Sequence, residues 1–210
     1  MYRQPPVPPQ PSGPMTRAPD GSFVFQNLEP KHRPKATWAL TFTIVVASVL
    51  GEEFPALKEQ FDILPSAVRA GEWWRLVTGA LLHGGYLHLA ANAYFGWSIG
   101  ARVERYIGAW RLLVITAVAM LASGLAVTFF SEIPAVGFSG VLYGWLASWL
   151  AFHLTPRFPG LRLSGPQRSA YLQLLGANLL LSLLPGISLL AHAGGFVAGF
   201  AAAYVLGQKR

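Results

Sequence analysis

Six apolar runs punctuate the chain, at residues 36–51, 84–104, 108–130, 138–155, 168–184 and 189–207, separated by polar or proline-containing stretches. A helix needs roughly 20 apolar residues to cross about 30 Å of hydrocarbon, so the pattern predicts an all-α bundle of six transmembrane helices. Several runs are short, which local bilayer thinning or a helix that starts inside the protein accommodates. Ahead of the runs, residues 1–35 contain Pro-Pro-Val-Pro-Pro-Gln-Pro-Ser-Gly-Pro and little that builds a core. This predicts an extended, disordered, proline-rich tail before a helical core at 36–207. The first run starts near Ala36, too late for a cleavable signal peptide, and is expected to act as a signal anchor. Between the first and second runs lies a long connection with Pro55, Pro65 and the cluster Trp73, Trp74, Arg75. A connection of that length points to function or to the membrane interface.

Composition agrees: 53% of the 210 residues are hydrophobic and 12% charged, far from the balance of a soluble domain. The charges set an orientation. Of the 16 basic residues, all but Lys58, Arg69 and Arg75 fall in the tail, the second-to-third and fourth-to-fifth connections or the C-terminus. Glu52, Glu53, Glu59, Asp62, Glu72 and Glu132 fall on the other side. Lys and Arg beside short loops are retained in the cytoplasm, so both termini are expected there. The net charge of +7 then reflects membrane topology and anionic headgroups, and no nucleic-acid partner is expected. The absence of cysteine excludes disulfides and Cys-ligated zinc.

That topology brings chemistry together. With the N-terminus inside, the second, fourth and sixth runs start on the outer side, and His83, His88, Asn92, Ser139 and His192 all lie at or beside their first turns. Polar groups inside a membrane are costly, so a cluster of them marks a functional site. A serine at its ordinary pKa is a poor nucleophile until an imidazole accepts its proton, and His192 is the natural base for Ser139. No carboxylate lies at that depth, so a two-residue dyad is expected. His88 and Asn92, four apart on one helix face, can present donors to an oxyanion together with the Ser139 amide. His83 is read as a structural hydrogen-bonding group at the start of the second helix, and Tyr143 as packing on the imidazole. Gly140 and Gly144 in the fourth run and Gly195 and Gly199 in the sixth form G-x-x-x-G faces that allow close helix approach in lipid.

Taken as an ordered set, Trp74-Arg75, H-x-x-x-x-H-x-x-x-N (His83, His88, Asn92), V-E-R with Gly108 four residues after Glu104, G-x-S-G (Gly137, Ser139, Gly140) with Tyr143, and A-H-x-x-G-x-x-x-G (His192, Gly195, Gly199) resemble the rhomboid intramembrane serine proteases. The resemblance covers about residues 36–207. It implies Ser139 as nucleophile, His192 as general base, and His88, Asn92 and the Ser139 amide as the oxyanion site. It also implies a fifth helix that serves as a lateral gate and cleavage of single-span membrane proteins near their outer ends, preferably at small residues. The bacterial six-span form implies a plasma (inner) membrane location, the site facing outward.

Other readings are weighed beside it. Ser123, Ser148 and Ser182 read as helix packing, His153 as structural, and Asn178 and Gln173 as bridges between helices. Trp74 and Arg75 read as an interfacial anchor, and Glu104 as the partner of an Arg at the cytoplasmic rim. No H-E-x-x-H is present and no carboxylate pair lies within the spans, so neither a metal nor a cofactor is expected. A non-catalytic rhomboid relative acting as a membrane chaperone, or a small transporter, remains as the alternative. The oligomeric state is left open.

Overall fold

The computed structural model describes residues 32–155, 163, 165–183 and 186–208, together with the backbone of 15–17 and 23–25. The chain divides into two units, Met1–Pro30 and Lys31–Arg210. In the first, β1 (Met15–Arg17) and β2 (Phe23–Phe25) pair antiparallel with Met15 opposite Phe25. Pro19, Asp20 and Gly21, between the strands in sequence, are residue types that favour turns. The proline-rich stretch and the other residues before His32, apart from the two strands, lie outside the described residues.

The second unit is helical. It opens with α1 (Lys35–Glu53), continues through the short helices α2 (Pro55–Phe61), α3 (Pro65–Arg69) and α4 (Arg75–Leu81), and reaches the long α5 (Tyr86–Ile107) and α6 (Ala109–Phe130). Three further helices follow: α7 (Ser139–Leu154), α8 (Gly165–Leu181) and α9 (Leu189–Gly207). Each of the six long helices overlies one apolar run. By length and composition α1, α6 and α9 are apolar enough to cross a membrane. α5 ends in the charged Arg102, Glu104 and Arg105, and α7 and α8 have only 16 and 17 residues. The long connection is therefore built, not loose. Pro55 and Pro65 each begin a helix, where the missing N–H needs no partner.

α7 sits at the centre because it is apolar all round. Every residue from Gly140 to Ser148 is buried, with neighbours on α5, α6 and above all α9. A Cβ added at Gly195 would run into the Gly140 carbonyl, one at Gly199 into the backbone of Gly144, and one at Gly144 would lie 3.1 Å from the Gly195 carbonyl oxygen. The helix backbones touch. α8 differs: Tyr171 is its one buried residue, and the Tyr171 hydroxyl donates to the Leu146 carbonyl of α7 at 2.8 Å.

Glu104 corrects an expectation. It is fully buried, and among the described residues no salt bridge to an arginine holds it; its carboxylate accepts from the Ala36 N–H (2.9 Å) and from the N–H and hydroxyl of Thr37 (both 2.7 Å). The first N–H groups of a helix lack internal acceptors and carry its positive end, so the start of α1 is a fitting partner for this carboxylate. At the opposite end of the bundle, Ile63 and Ala135 exchange both backbone hydrogen bonds (2.9 and 3.0 Å), and Gly137 N–H donates to the Gly79 carbonyl at 3.0 Å. The connection between α1 and α5 is thus fastened to the segment that delivers Ser139.

Candidate active site

Ser139 is the first residue of α7 and His192 the fourth of α9, so both stand at helix starts on the same side of the bundle. His192 Nε2 lies 2.7 Å from Ser139 Oγ. Tyr143, one turn along α7, stacks on the imidazole with ring centroids 4.2 Å apart and planes 15° from parallel. As a first helical residue, Ser139 has a backbone N–H with no acceptor inside the helix, at the positive end of the α7 dipole.

The other ring nitrogen of His192 is occupied as well. Nδ1 lies 2.7 Å from Ser182 Oγ, just beyond the end of α8. Ser182 is also 2.6 Å from the Tyr143 hydroxyl and donates to the Asn178 carbonyl at 2.9 Å. Reading Ser182 as mere helix packing is therefore corrected: it is buried against the imidazole. Its sequence neighbourhood is a leucine run, and no spacing pattern ties it to a histidine ten positions later.

His88 and Asn92 occupy the first two turns of α5. The His88 ring faces Gly137, where an added Cβ would lie 3.0 Å from His88 Cε1 and 3.3 Å from Nε2. Gly137 also has φ +123°, a backbone conformation that side chains rarely adopt, so both the turn into α7 and the proximity of the imidazole require glycine here. Asn92 is buried and donates one Nδ2 proton to the His88 carbonyl at 2.9 Å. The amide carries a second proton for another acceptor.

His83 does not join Ser139 and His192 directly. It is 1% exposed, its Nδ1 lies 2.8 Å from Ser48 Oγ, and the Phe138 N–H points to its Nε2 at 3.4 Å. Ser48 sends its own proton to the Leu81 carbonyl at 2.9 Å, so the network assigns the ring proton to Nδ1. Burial, reinforced by neighbouring His88, pushes the His83 pKa down to about 3. A neutral His83 thus pins the residue preceding the nucleophile. Ser48 could not have been paired with His83 from spacing, since they meet only when α1 packs beside the start of α5.

Trp74 is half exposed, but Arg75 is not. The Arg75 guanidinium is buried, bonded to Glu72 at 2.6 Å, to the Asp62 carboxylate at 2.9 Å and to the Glu59 and Asp62 carbonyls at 3.1 Å. This corrects its reading as an anchor. A planar fork of five donors is suited to gathering several oxygens, and here it clasps the short helices together.

Two cavities meet at the serine. One, of about 470 Å³, is lined by His88, Ser123, Gly137, Ser139 and Ala191; the other, of about 120 Å³, by His88, Asn92, Ser139, Tyr143, Ser182 and His192. An acyl group bound here would find a hydroxyl, a base and several N–H donors within one small volume. Among the described residues no group of three or more His, Asp or Glu is placed to hold a metal ion.

Residues 70–209 match the family model of the Rhomboid domain. Rhomboid protease GluP of Bacillus subtilis (strain 168) is 34% identical over 154 residues, covering 69% of this chain and 28% of its own length. RHOMBOID-like protein 5 of Arabidopsis thaliana is 32% identical over 161 residues, covering 75% of this chain and 52% of its own. Rhomboid protease GlpG of Photorhabdus laumondii subsp. laumondii is 28% identical over 136 residues, covering 62% and 48%. The match therefore spans about half or less of each relative's length.

Proposed function

The chain belongs to the rhomboid family of integral membrane proteins, and from that premise we propose that it is an intramembrane serine protease acting through a Ser139–His192 dyad. The observation that carries the reading is the 2.7 Å contact between His192 Nε2 and Ser139 Oγ at the start of a buried, apolar helix. Ser139 Oγ attacks the carbonyl carbon of a substrate peptide bond while its proton passes to His192 Nε2. Negative charge gathers on the former carbonyl oxygen, where the Ser139 N–H, the second Asn92 Nδ2 proton and His88 stand as donors. His192 then returns the proton to the leaving amine, and the C–N bond breaks to leave an acyl-enzyme. The cavity of about 470 Å³ has room for the water that completes hydrolysis, His192 serving again as base.

In this reading α1, α5, α6, α7, α8 and α9 all cross the bilayer. Both termini lie on the cytoplasmic side and Ser139 in the outer half, where single-span membrane proteins present their outer ends. The bacterial plasma membrane is the proposed setting. A non-catalytic relative would not need a nucleophile and base in contact, and a transporter would need a polar path continuing past them. Below Ser139, α7 is apolar and closely packed.

Purified protein in proteoliposomes with a single-span reporter tests this. Wild type is expected to release the ectodomain, Ser139→Ala to release none while keeping its helical content, and Asn92→Ala to retain activity lowered by ~10²–10³. A reporter cut equally by Ser139→Ala would sink the proposal.

A further inference from the structure

We propose that Ser182 is a positioning residue that fixes the tautomer of His192, so that the base is held by a third group carried at the end of α8; this rests on the proteolytic reading above. Proton bookkeeping carries the argument. Ser182 Oγ has three neighbours: the Asn178 carbonyl at 2.9 Å, the Tyr143 hydroxyl at 2.6 Å and His192 Nδ1 at 2.7 Å. A hydroxyl has one proton to give and two lone pairs to accept with. The carbonyl can only accept, so the single Ser182 proton goes to it. The other two contacts are then donated to Ser182, by the Tyr143 O–H and by His192 Nδ1–H. All three valences of the hydroxyl are used, and every partner is satisfied.

The consequence falls on the opposite side of the ring. With the proton held on Nδ1, Nε2 presents a bare lone pair to Ser139 Oγ, as a base must. In a Ser-His-Asp site a carboxylate does this work; here a hydroxyl does it without placing a charge in the apolar interior. Tyr143 acts twice, stacking on the ring face and donating to the atom that receives the ring edge, so the imidazole is held in plane and in tilt. Ser182 is 2% exposed.

The test uses the full chain in proteoliposomes with a single-span reporter, alongside ¹⁵N spectra of histidine-labelled protein in which the His192 signals are those lost in His192→Asn. The wild-type ring is expected to show the Nδ1–H tautomer. Ser182→Ala is expected to lower kcat roughly tenfold with KM unchanged and to mix the tautomers, and Ser182→Thr, which keeps the hydroxyl, to restore both. A wild-type ring protonated on Nε2, a Ser182→Ala enzyme with wild-type kcat, or a Thr variant no better than Ala would overturn the proposal. The wild-type spectrum decides even if Ser182→Ala does not fold. Absence of cleavage by wild type would instead count against the protease reading.

Discussion

Two sides of the same imidazole are held in different ways. Toward Ser139, His192 is carried on α9, whose backbone touches that of α7 through Gly140, Gly144, Gly195 and Gly199. Toward Ser182, it meets the end of α8, a helix exposed along nearly all its length and buried only at Tyr171. In lipid, apolar burial gives helices little reason to associate, so close packing of small residues must supply the cohesion. The molecule spends that cohesion where a reacting distance has to be kept. The second contact, which sets the proton and not the distance, rests on one hydroxyl at the end of a loosely packed helix.

The seam should break first and hardest. Gly195→Ala places a methyl on the Gly140 carbonyl and is expected to cost about 1–3 kcal/mol or more, lowering the thermal midpoint and removing cleavage as Ser139 and His192 separate. If Gly195→Ala keeps full activity, the backbone contact does not set the dyad.

A smaller effect is expected from acid. His83 supports the seam side through Phe138, and its folded pKa of about 3 lies below the ordinary 6.5. Between those values the unfolded chain binds more protons than the folded one, so stability is full above pH 6.5 and falls as pH drops toward 3. The slope is at most about 1.4 kcal/mol per pH unit. Thermal midpoints measured across that window should fall with pH in wild type and fall less in His83→Gln.

The smallest effect belongs to α8. A Cβ at Gly176 meets nothing within 4 Å, so Gly176→Ala gains helix propensity without a clash. It should leave cleavage unchanged and stabilise by about 0.5–1 kcal/mol. The same substitution type, opposite in sign on the two helices, is the sharpest form of the comparison.

Much of this was legible in the chain because apolar runs and G-x-x-x-G faces are periodic. The six runs locate the six long helices, and Ser139 and His192 stand out as polar groups at the heads of glycine faces. What was not legible depends on partners distant in sequence. Glu104 looks like a rim acid until α1 brings its unpaired N–H groups. Arg75 looks like an anchor until Asp62 and Glu72 fold around it. Ser182 looks like any helix serine until α9 lays Nδ1 against it. Hydroxyls and carboxylates carry no periodic signal, and their roles appear only with the tertiary contacts they satisfy.

The most direct measurement is to treat the protein in its membrane with a serine-directed fluorophosphonate and map the adduct by mass spectrometry. A single adduct on Ser139, lost in His192→Ala, is the predicted result; an adduct on another serine, or none on a folded protein, would contradict the account.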